Sequence, residues 1–373
     1  MTYSRNRVTV DLNALAHNFA QVKALLDRRV KVMGIVKSEG YGHGMLPVAK
    51  TLESEGVDSL GVSQVHEALE LRKGGMGLPI VVLCGIRGME EVRQAIEHDF
   101  TPVVYDLETA EMLNAEGQRS GKIIRVHVKV DTGMGRLGVL DRCLSSFLRR
   151  LGEFRSIYPE GLMSHLSSAD ERGKSFTLEQ VNRFKRAVEE GRSMGLDLPF
   201  NNLANSAGIM AYPESHFQMV RPGIMLYGGL PSPDFPCPVQ LKPVMSFRGR
   251  VLQVRDFPSD TPIGYGRTYY TRGPRKIAIL SAGYGDGLPR SISNRGMVLI
   301  GEKRARIIGN VCMNMTMCDI SGMGEVGADG EVVFMGTQGE ESITGDNIAE
   351  WGDTISYEVF CSIGQRNIRK YLQ

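Results

Sequence analysis

The stretch KVMGIVKSEGYGHG, from Lys31 to Gly44, places a lysine at the end of an apolar segment. Residues 32–36 are largely apolar and favour a strand, Lys37 follows them directly, and the loop beyond contains three glycines. A lysine at the end of a buried strand loses hydration, which lowers its pKa and frees its amine as a nucleophile or base. The same residues also fit a surface lysine that ends a strand, and they leave both interpretations open.

Short apolar runs recur along the first 226 residues, with helical patterns between most of them. Counting the run before Lys37 there are eight, near 32–36, 58–62, 79–83, 101–104, 123–130, 158–163, 199–204 and 217–226. Helical spacing of apolar residues is found at 64–73, 106–118 and 177–194, and within 9–27, where Asp11 is a candidate N-cap. Strands that alternate with helices indicate a parallel sheet, and eight such units predict a closed (β/α)8 barrel of the TIM type.

The composition changes after residue 230. Residues 231–243 read PSPDFPCPVQLKP and contain five of the sixteen prolines, which neither a helix interior nor a central strand accommodates. We interpret this segment as a linker. The short alternating runs beyond it, rich in Gly, Val, Ile and Thr, predict a smaller, mainly β domain. We expect residues 9–235 to form the barrel, residues 236–373 to form the second domain, and residues 1–8 to pack with the second domain.

The overall composition is that of an ordinary globular protein, with 42% hydrophobic and 23% charged residues. A net charge of +2 gives no argument for binding to nucleic acid or to a membrane surface. The N-terminus lacks the apolar segment of a secretory signal, and no later run approaches the length of a transmembrane helix. The six cysteines lie far apart, so we expect reduced thiols in the cytoplasm rather than disulfides, a zinc site or another metal site.

Polar residues follow the ends of several predicted strands, where a (β/α)8 barrel builds its active site. They are Lys37 at the first strand, Lys129 and Arg136 at the fifth, His165 at the sixth, Asn205 and Ser206 at the seventh, and Arg221 in the eighth. Each of them alone is also explained as a structural residue. Their number at one rim predicts a functional site.

The segment HVKVDTGMGRLG at 127–138 supports a second hypothesis, a dinucleotide-binding dehydrogenase. It contains G-x-G-x-x-G at Gly133, Gly135 and Gly138, after a strand. The context argues against it, because this fingerprint belongs in the first βα turn and the strand here is the fifth. The acidic residue expected at the end of the following strand is also missing. The match therefore supports a dehydrogenase only weakly.

Several of these segments together resemble the alanine racemases, enzymes that depend on pyridoxal 5′-phosphate (PLP). KVMGIVKSEGYGHG resembles the segment in which the family's lysine forms a Schiff base with PLP. The matching positions are Lys37, Tyr41, Gly42 and His43. Residues 38–39, Ser-Glu, depart from the small and amide residues that are more usual there.

The resemblance implies roles for other residues of the barrel. In the segment at 127–138, Lys129 is often carbamylated in the family and holds Arg136. A negative carbamate between two cations that would otherwise repel each other is physically sensible. In GLMSHLSSAD, at 161–170, the resemblance implies that His165 stacks near the cofactor ring.

Two further barrel segments, LANSAG at 203–208 and MVRPGIMLYG at 219–228, resemble cofactor-binding segments of the family, as does TISYE at 354–358. The cofactor contacts they imply, together with Tyr41 and His165, are Asn205, Ser206, Arg221, Gly223, Ile224 and Tyr357. Arg221 takes the place of the carboxylate that many PLP enzymes set against the pyridine nitrogen. Because a guanidinium does not give up its proton, the ring nitrogen facing it should stay unprotonated, which disfavours side reactions such as transamination.

The second domain resembles the family at three segments. TPIGYGRT, at 261–268, corresponds to the segment with the second base, Tyr265, which is needed because one lysine cannot serve both faces of the substrate Cα. SAGYGDG and GNVCMNMTMCD supply Tyr284 and Met313, which with Arg136 are implied to bind the substrate. Asn314 stands where the family often has aspartate, which predicts tolerance of serine as a secondary substrate.

The resemblance spans nearly the whole chain, and its motifs keep their order. It implies PLP-dependent interconversion of L- and D-alanine by Lys37 and Tyr265 of the partner subunit in a homodimer, supplying D-alanine for peptidoglycan. The alternatives are a serine or broad-specificity amino-acid racemase and a fold-type III PLP amino-acid decarboxylase. A non-enzymatic PLP carrier is a further alternative, against which the ~130 residues beyond the linker count.

Overall fold

A computed structural model describes residues 4–373 and shows the predicted barrel. Its strands are β2 (Lys31–Ile35), β3 (Ser59–Val62), β4 (Ile80–Val82), β5 (Phe100–Val104), β6 (Ile124–Asp131), β8 (Ile157–Met163) and β9 (Met219–Val220), while β7 (Val139–Leu140) pairs with β6 beside the ring. From β2 to β6 each strand pairs in parallel with the next, β6 also pairs with β8, and β9 pairs with β2. Between β8 and β9 the ring closes through isolated parallel bridges of Asn202 to Met163 and to Met219.

The seventh position of the barrel is this single bridging residue, and the full strand predicted at 199–204 does not form. The neighbouring side chain explains the difference. Asn201 accepts the Leu162 N–H with its Oδ1 at 2.9 Å, a bond that strand backbone would otherwise make. The eight-membered parallel barrel is thus confirmed, with one position reduced to a bridge.

Helices cover the outside of the barrel. They are α1 (Leu12–Ala24), α3 (Met45–Ser54), α4 (Val65–Lys73), α5 (Gly88–Glu97), α6 (Leu107–Ser120), α7 (Leu144–Leu151), α8 (Ser175–Ser193) and the short α9 (Ser206–Ala211), with α2 (Lys37–Tyr41) a single turn at the barrel rim. Asp11 caps α1 as the sequence predicts, because its Oδ1 accepts the Ala14 N–H at 3.0 Å. Strands β3, β4 and β5 are buried along their whole length, as expected where helices cover a parallel sheet.

The second domain is mainly β. Its nine-stranded sheet contains β1 (Arg7–Asp11), β10 (Met245–Phe257), β13 (Arg275–Leu280), β14 (Met297–Ile300), β15 (Lys303–Ile307), β16 (Thr316–Asp319), β17 (Glu331–Gln338), β18 (Glu341–Ile343) and β19 (Arg369–Leu372). Because β10 pairs with both β13 and β17, six of these strands close into a small barrel. A hairpin of β11 (Pro262–Ile263) and β12 (Tyr269–Tyr270) and two helices, α10 (Gly345–Gly352) and α11 (Ser356–Arg366), complete the domain.

The chain's N-terminal strand joins the sheet of the second domain. β1 is antiparallel to β10 and parallel to β19, with Val8 opposite Phe247 and Arg369. The strand continues to Asp11, past the predicted boundary after residue 8, and residues 1–3 of the predicted segment lie outside the described residues. The linker at 231–243 contains neither helix nor strand. The exact domain limits stay a prediction.

Within residues 4–373, no helix has both the length and the apolar character needed to cross a bilayer. The same residues contain no group of three His, Cys, Asp or Glu side chains placed to hold a metal ion.

Helix α11 packs directly against the loop after Lys37, at two glycines. A Cβ on Gly364 would overlap the carbonyl group of Gly42, and a Cβ on Gly42 would overlap the carbonyl group of Phe360. Gly42 also has a φ of 82°, a left-handed conformation that favours glycine. The second domain therefore contacts the lysine loop backbone against backbone.

This contact predicts the effect of Gly364→Ala. In an exposed helix interior, replacing glycine by alanine stabilises by up to about 1 kcal/mol. Here the added methyl group meets backbone, so we expect the free energy of unfolding to fall by about 1–3 kcal/mol in urea denaturation. Gly327→Ala, where a Cβ meets no atom within 4 Å, is the matched control. Stabilisation by Gly364→Ala would show that the two backbones are not in contact.

Candidate active site

A cavity of about 470 Å³ opens at the carboxyl ends of the barrel strands. Its wall brings together eleven residues that the sequence singled out: Lys37, Tyr41, Lys129, Arg136, His165, Asn205, Ser206, Arg221, Gly223, Ile224 and Tyr357. Two of these are lysines and two are arginines, and none of the described lining residues is Asp or Glu. The cavity therefore favours an anionic ligand.

Lys37 follows the first barrel strand, and its amine faces this cavity. Burial lowers the pKa of Lys37, and Arg136 and Arg221 act in the same direction because like charges disfavour an ammonium. The neutral amine is therefore populated more than in a surface lysine. A neutral amine is the form that reacts with an aldehyde or accepts a proton.

The chain turns left-handed immediately after Lys37. Ser38, Glu39, Gly40 and Tyr41 have φ values of 54°, 58°, 57° and 53° in succession. Such a conformation costs about 1–2 kcal/mol for each residue with a side chain, so surrounding contacts must hold it. His43 supplies one of them, since its Nδ1 lies 3.0 Å from both the Gly40 and the Tyr41 carbonyl oxygens and must donate to them. Burial lowers the pKa of His43 to about 4, so the ring is neutral.

Lys129 lies on β6 and is buried. Burial first, then the charges of Arg221 and Arg136, lower the pKa of Lys129 to about 8. At neutral pH a much larger fraction of this amine is thus unprotonated and able to react than in an ordinary lysine.

Arg221 follows β9 and is almost fully buried. It donates to the Ser164 carbonyl oxygen at 2.6 Å, to His165 Nδ1 at 3.2 Å, and to the Asn202 side-chain oxygen. Burial, followed by the charge of Arg136, lowers the pKa of Arg221 to about 9, still above neutral pH, so the guanidinium stays charged. The pKa of His165 lies well below its ordinary value through burial and then Arg221, which leaves the imidazole neutral and its Nδ1 an acceptor.

A series of buried hydrogen bonds orients the Asn202 side chain, which accepts a hydrogen bond from Arg221. Asn202 Nδ2 lies 3.1 Å from His127 Nδ1, and His127 Nε2 lies 3.2 Å from Glu160 Oε1. Because the amide donates to Nδ1, the imidazole proton sits on Nε2 and points to Glu160. This arrangement fixes the orientation of the Asn202 amide, so that its oxygen faces the guanidinium.

A group of donors converges at another part of the wall. Ser206 Oγ accepts the Gly223 N–H at 3.0 Å and the Met225 N–H at 3.4 Å, and a Cβ on Gly223 would come within 2.6 Å of the Tyr41 hydroxyl. Burial raises the pKa of both Tyr41 and Tyr357, so their hydroxyls remain protonated donors. Because the Gly223 and Met225 N–H groups already bond to Ser206 Oγ, the donors left for a phosphate dianion are the hydroxyls of Ser206 and the two tyrosines.

Apart from Tyr357, the predicted residues of the second domain form a separate, exposed group. Tyr265 is 72% exposed, Met313 58% and Tyr284 39%, and none of them lines the cavity of the same chain. They lie together on one face, because the Tyr284 N–H donates to Cys312 O at 3.0 Å and Asn310 Nδ2 donates to Tyr265 O at 2.7 Å. Within one chain, Tyr265 and Lys37 thus belong to different groups.

Sequence reasoning missed several residues of the site. Cys84 directly follows the strand-forming run at 79–83, so the rule that selected Lys37 could have found it. Cys361 lies one helical turn after Tyr357 on α11 and also lines the cavity. Glu67, which accepts the Ser38 N–H at 2.6 Å, and Asn202 act on neighbouring residues, and no motif signals such indirect contacts.

Two family descriptions match the chain: "Alanine racemase, N-terminal domain" at residues 10–231 and "Alanine racemase, C-terminal domain" at residues 244–371. The alanine racemase of Syntrophobacter fumaroxidans is 42% identical over 364 residues, 98% of this chain and 96% of that protein. That of Halothermothrix orenii is 42% identical over 362 residues, 97% of this chain and 95% of that protein.

Solved structures agree over the full length. An alanine racemase from a D-cycloserine-producing Streptomyces lavendulae superposes with a TM-score of 0.94 at 32% identity, covering 100% of this chain and 98% of that one. An alanine racemase of Bacillus anthracis with bound L-Ala-P gives 0.91 at 31% identity, with 100% and 96% covered. One of Bartonella henselae with covalently bound pyridoxal phosphate gives 0.89 at 27% identity, with 99% and 100% covered.

The environment of Lys129 predicts its reactivity. In the cofactor-free protein, competitive labelling with acetic anhydride should show half-maximal reactivity of Lys129 at a pH of about 8, because burial and two arginines disfavour its ammonium form. Peptide mass spectrometry gives the extent of labelling, and the exposed Lys303 on β15 serves as the internal reference for reagent decay. A midpoint at the ordinary lysine value of about 10.4 would contradict this description of the cavity.

Proposed function

The chain belongs to the alanine racemase family, and from this premise we propose that it interconverts L- and D-alanine, with PLP bound at Lys37. The observation that carries the proposal is the cavity at the barrel rim, where the Lys37 amine, the Arg221 guanidinium and the donors around Ser206 face one volume. The protein is an isomerase whose substrate is alanine and whose cofactor is PLP.

The residues of the cavity fit this cofactor. The Ser206 and Tyr357 hydroxyls and the Ile224 N–H would hold its phosphate, and the Gly223 N–H would join them by exchanging Ser206 Oγ for a phosphate oxygen. Tyr41 and Asn205, the residue before Ser206, line the same cavity. Arg221 would face the ring nitrogen, and the neutral His165 would lie near the ring. When bound, PLP withdraws electrons from the substrate Cα and makes its proton acidic. Because Arg221 stays charged, a ring nitrogen that faces it would stay unprotonated, which would moderate the electron withdrawal.

Two bases exchange the Cα proton. Lys37 Nζ takes or returns the proton on one face of the substrate, and Tyr265 Oη does so on the other. The lowered pKa of Lys37 suits it to this role, because the neutral amine accepts a proton and the ammonium returns it. Arg136 and the Met313 N–H bind the substrate carboxylate, and Tyr284 lies beside Met313 on the same face.

Lys129 carries a carbamate in the working enzyme. The neutral amine adds to carbon dioxide and releases a proton, which gives a negative group in place of a cation. The pKa of about 8 favours this reaction near neutral pH. The carbamate then attracts Arg136 and holds its guanidinium toward the substrate.

The enzyme works as a two-fold homodimer in which Tyr265 of the partner subunit enters the cavity. Two observations support this arrangement: Tyr265 lies outside the cavity of its own chain, and it stands in an exposed patch of large side chains. The patch is formed by Tyr265, Tyr284 and Met313, and Tyr270 of the same hairpin and Met315 of the same loop are exposed as well. Exposed apolar patches of this kind mark interaction sites, and two-fold symmetry makes both active sites equivalent.

We also place the enzyme in the cytoplasm, where its six free cysteines stay reduced and where it supplies D-alanine for peptidoglycan. We propose serine as a second substrate. Asn314 offers a neutral amide at the substrate side, and its Nδ2 donates to Asp286 Oδ2 at 3.2 Å. A neutral residue there tolerates a substrate hydroxyl better than a carboxylate would.

The first test is isotopic. Protein and PLP are incubated with L-alanine in D₂O, and D-alanine carrying deuterium at Cα should accumulate, because the base on the other face has exchanged its own proton with the solvent and delivers a deuteron. Chiral chromatography with mass spectrometry measures both products, with Lys37→Ala as the blank and serine assayed in parallel. Release of CO₂ without D-alanine would show a decarboxylase instead.

The second test concerns the shared site. Lys37→Ala and Tyr265→Ala dimers should each be nearly inactive, but after subunit exchange half of the dimers are mixed and each mixed dimer holds one intact site. Activity should therefore recover to about a quarter of the unmodified level. Proven exchange without recovery would place Tyr265 in the same chain's site or outside the site.

A further inference from the structure

The left-handed turn after Lys37 needs a support that the proposed chemistry does not explain. Four successive residues from Ser38 to Tyr41 have positive φ, and three of them carry side chains that disfavour this conformation. The turn decides where the backbone leaves Lys37, and so in which direction the side chain extends. Groups that hold the turn therefore position the amine.

Glu67 on α4 is such a group. Its side chain is buried, and its two oxygens have different partners. Oε2 accepts the Ser63 N–H at 2.6 Å and the Gln64 N–H at 3.2 Å, at the start of its own helix. Oε1 reaches across to the end of the neighbouring barrel strand and accepts the Ser38 N–H at 2.6 Å. Capping the helix uses Oε2 only, so the bond between Oε1 and the Ser38 N–H requires another explanation.

The charge of Glu67 has a consequence for the same lysine. Among the described lining residues of the cavity there is no carboxylate to balance Lys37, Lys129, Arg136 and Arg221. Burial lowers the pKa of Lys37, and the negative charge of Glu67 opposes this shift. Glu67 thus acts on Lys37 in two ways, through the hydrogen bond from the Ser38 N–H and through its negative charge.

We propose that Glu67 is a positioning residue for Lys37, holding the left-handed turn through the Ser38 N–H and so fixing where the amine enters the cavity. The inference rests on the proposed function of Lys37 as the residue that binds PLP. Glu67 itself is not among the residues of the cavity wall, so it would act on a ligand only through Lys37.

Two substitutions separate position from charge. Glu67→Gln leaves one acceptor oxygen, so either the helix cap or the Ser38 bond is lost, and the charge disappears as well. Glu67→Asp keeps the charge but is one methylene shorter and does not reach both sides. Glu116→Gln is the matched control, because Glu116 is an equally buried glutamate on a barrel helix that pairs with Arg119, away from the site.

The first readout needs no cofactor. In competitive labelling of the cofactor-free full chain, the midpoint for Lys37 should fall to a lower pH in Glu67→Gln, because a negative charge that raises the pKa of Lys37 is removed. It should change little in Glu67→Asp and in Glu116→Gln. The second readout is the rate at which PLP leaves the loaded protein, followed by visible absorbance after dilution. This rate should rise about tenfold or more in both Glu67 variants, since a charge-assisted hydrogen bond is lost, and stay unchanged in Glu116→Gln.

The outcomes distinguish the inference from its premise. If both Glu67 variants match the unmodified protein and Glu116→Gln in the two readouts, Glu67 does not position Lys37. If the unmodified protein never binds PLP, the proposed function fails, and the labelling midpoint alone still decides whether Glu67 acts on Lys37. If Glu67→Gln does not fold, Glu67→Asp decides whether Glu67 positions Lys37. A faster release of PLP, or a Lys37 labelling rate that differs from that of the unmodified protein at the same pH, would support the inference.

Discussion

The accumulation of cations around one cavity is the constraint on which the rest of the structure depends. Two lysines and two arginines face this volume, and the described lining contains no carboxylate to offset them. Such a site stays folded only if some of these groups lose their protons or an anion enters. The cavity provides for both: burial and two arginines lower the pKa of Lys129 to about 8, and the donors of the wall suit a phosphate and a carboxylate. The reactivity of Lys37 follows from the same arrangement.

The lysine loop depends on contacts from both domains. Glu67 holds it from the barrel side, and from the other side Arg369 on β19 donates to the Gly42 carbonyl oxygen at 3.1 Å and to the Glu39 carboxylate at 2.9 Å. Helix α11 brings Tyr357 and Cys361 to the same cavity. The second domain is therefore part of the site of its own chain as well as the carrier of Tyr265. A barrel without the second domain would therefore lack part of the cavity wall and part of the support of the lysine loop.

Local patterns predicted much of the fold and of the cavity. Apolar runs that recur at regular intervals predicted the barrel. The positions of polar residues at strand ends predicted the rim residues, because a barrel brings these ends together at one face. The structure brings all of the barrel residues selected in this way to one wall. Their roles toward a cofactor remain predictions, as does the assignment of Tyr265 to the partner's site.

The features that the sequence did not reveal depend on contacts distant in the chain. The seventh strand was overestimated because the Asn201 side chain replaces a backbone bond, which apolar periodicity does not show. The left-handed turn was missed because Ser38 and Glu39 do not favour it, and neighbours impose it. The chain from Arg221 through Asn202 and His127 to Glu160 joins four separate segments by hydrogen bonds. No pattern of spacing encodes such a network.

The central claim is that Lys37, among the lysines of this protein, binds the cofactor. Reduction of the PLP-loaded protein with borohydride, followed by digestion and peptide mass spectrometry, tests it most directly. We expect one phosphopyridoxyl group per chain on the peptide containing Lys37, and its loss in Lys37→Ala while Lys129→Gln retains it. An adduct on Lys129, the other lysine of the cavity, or one spread over surface lysines would contradict the claim.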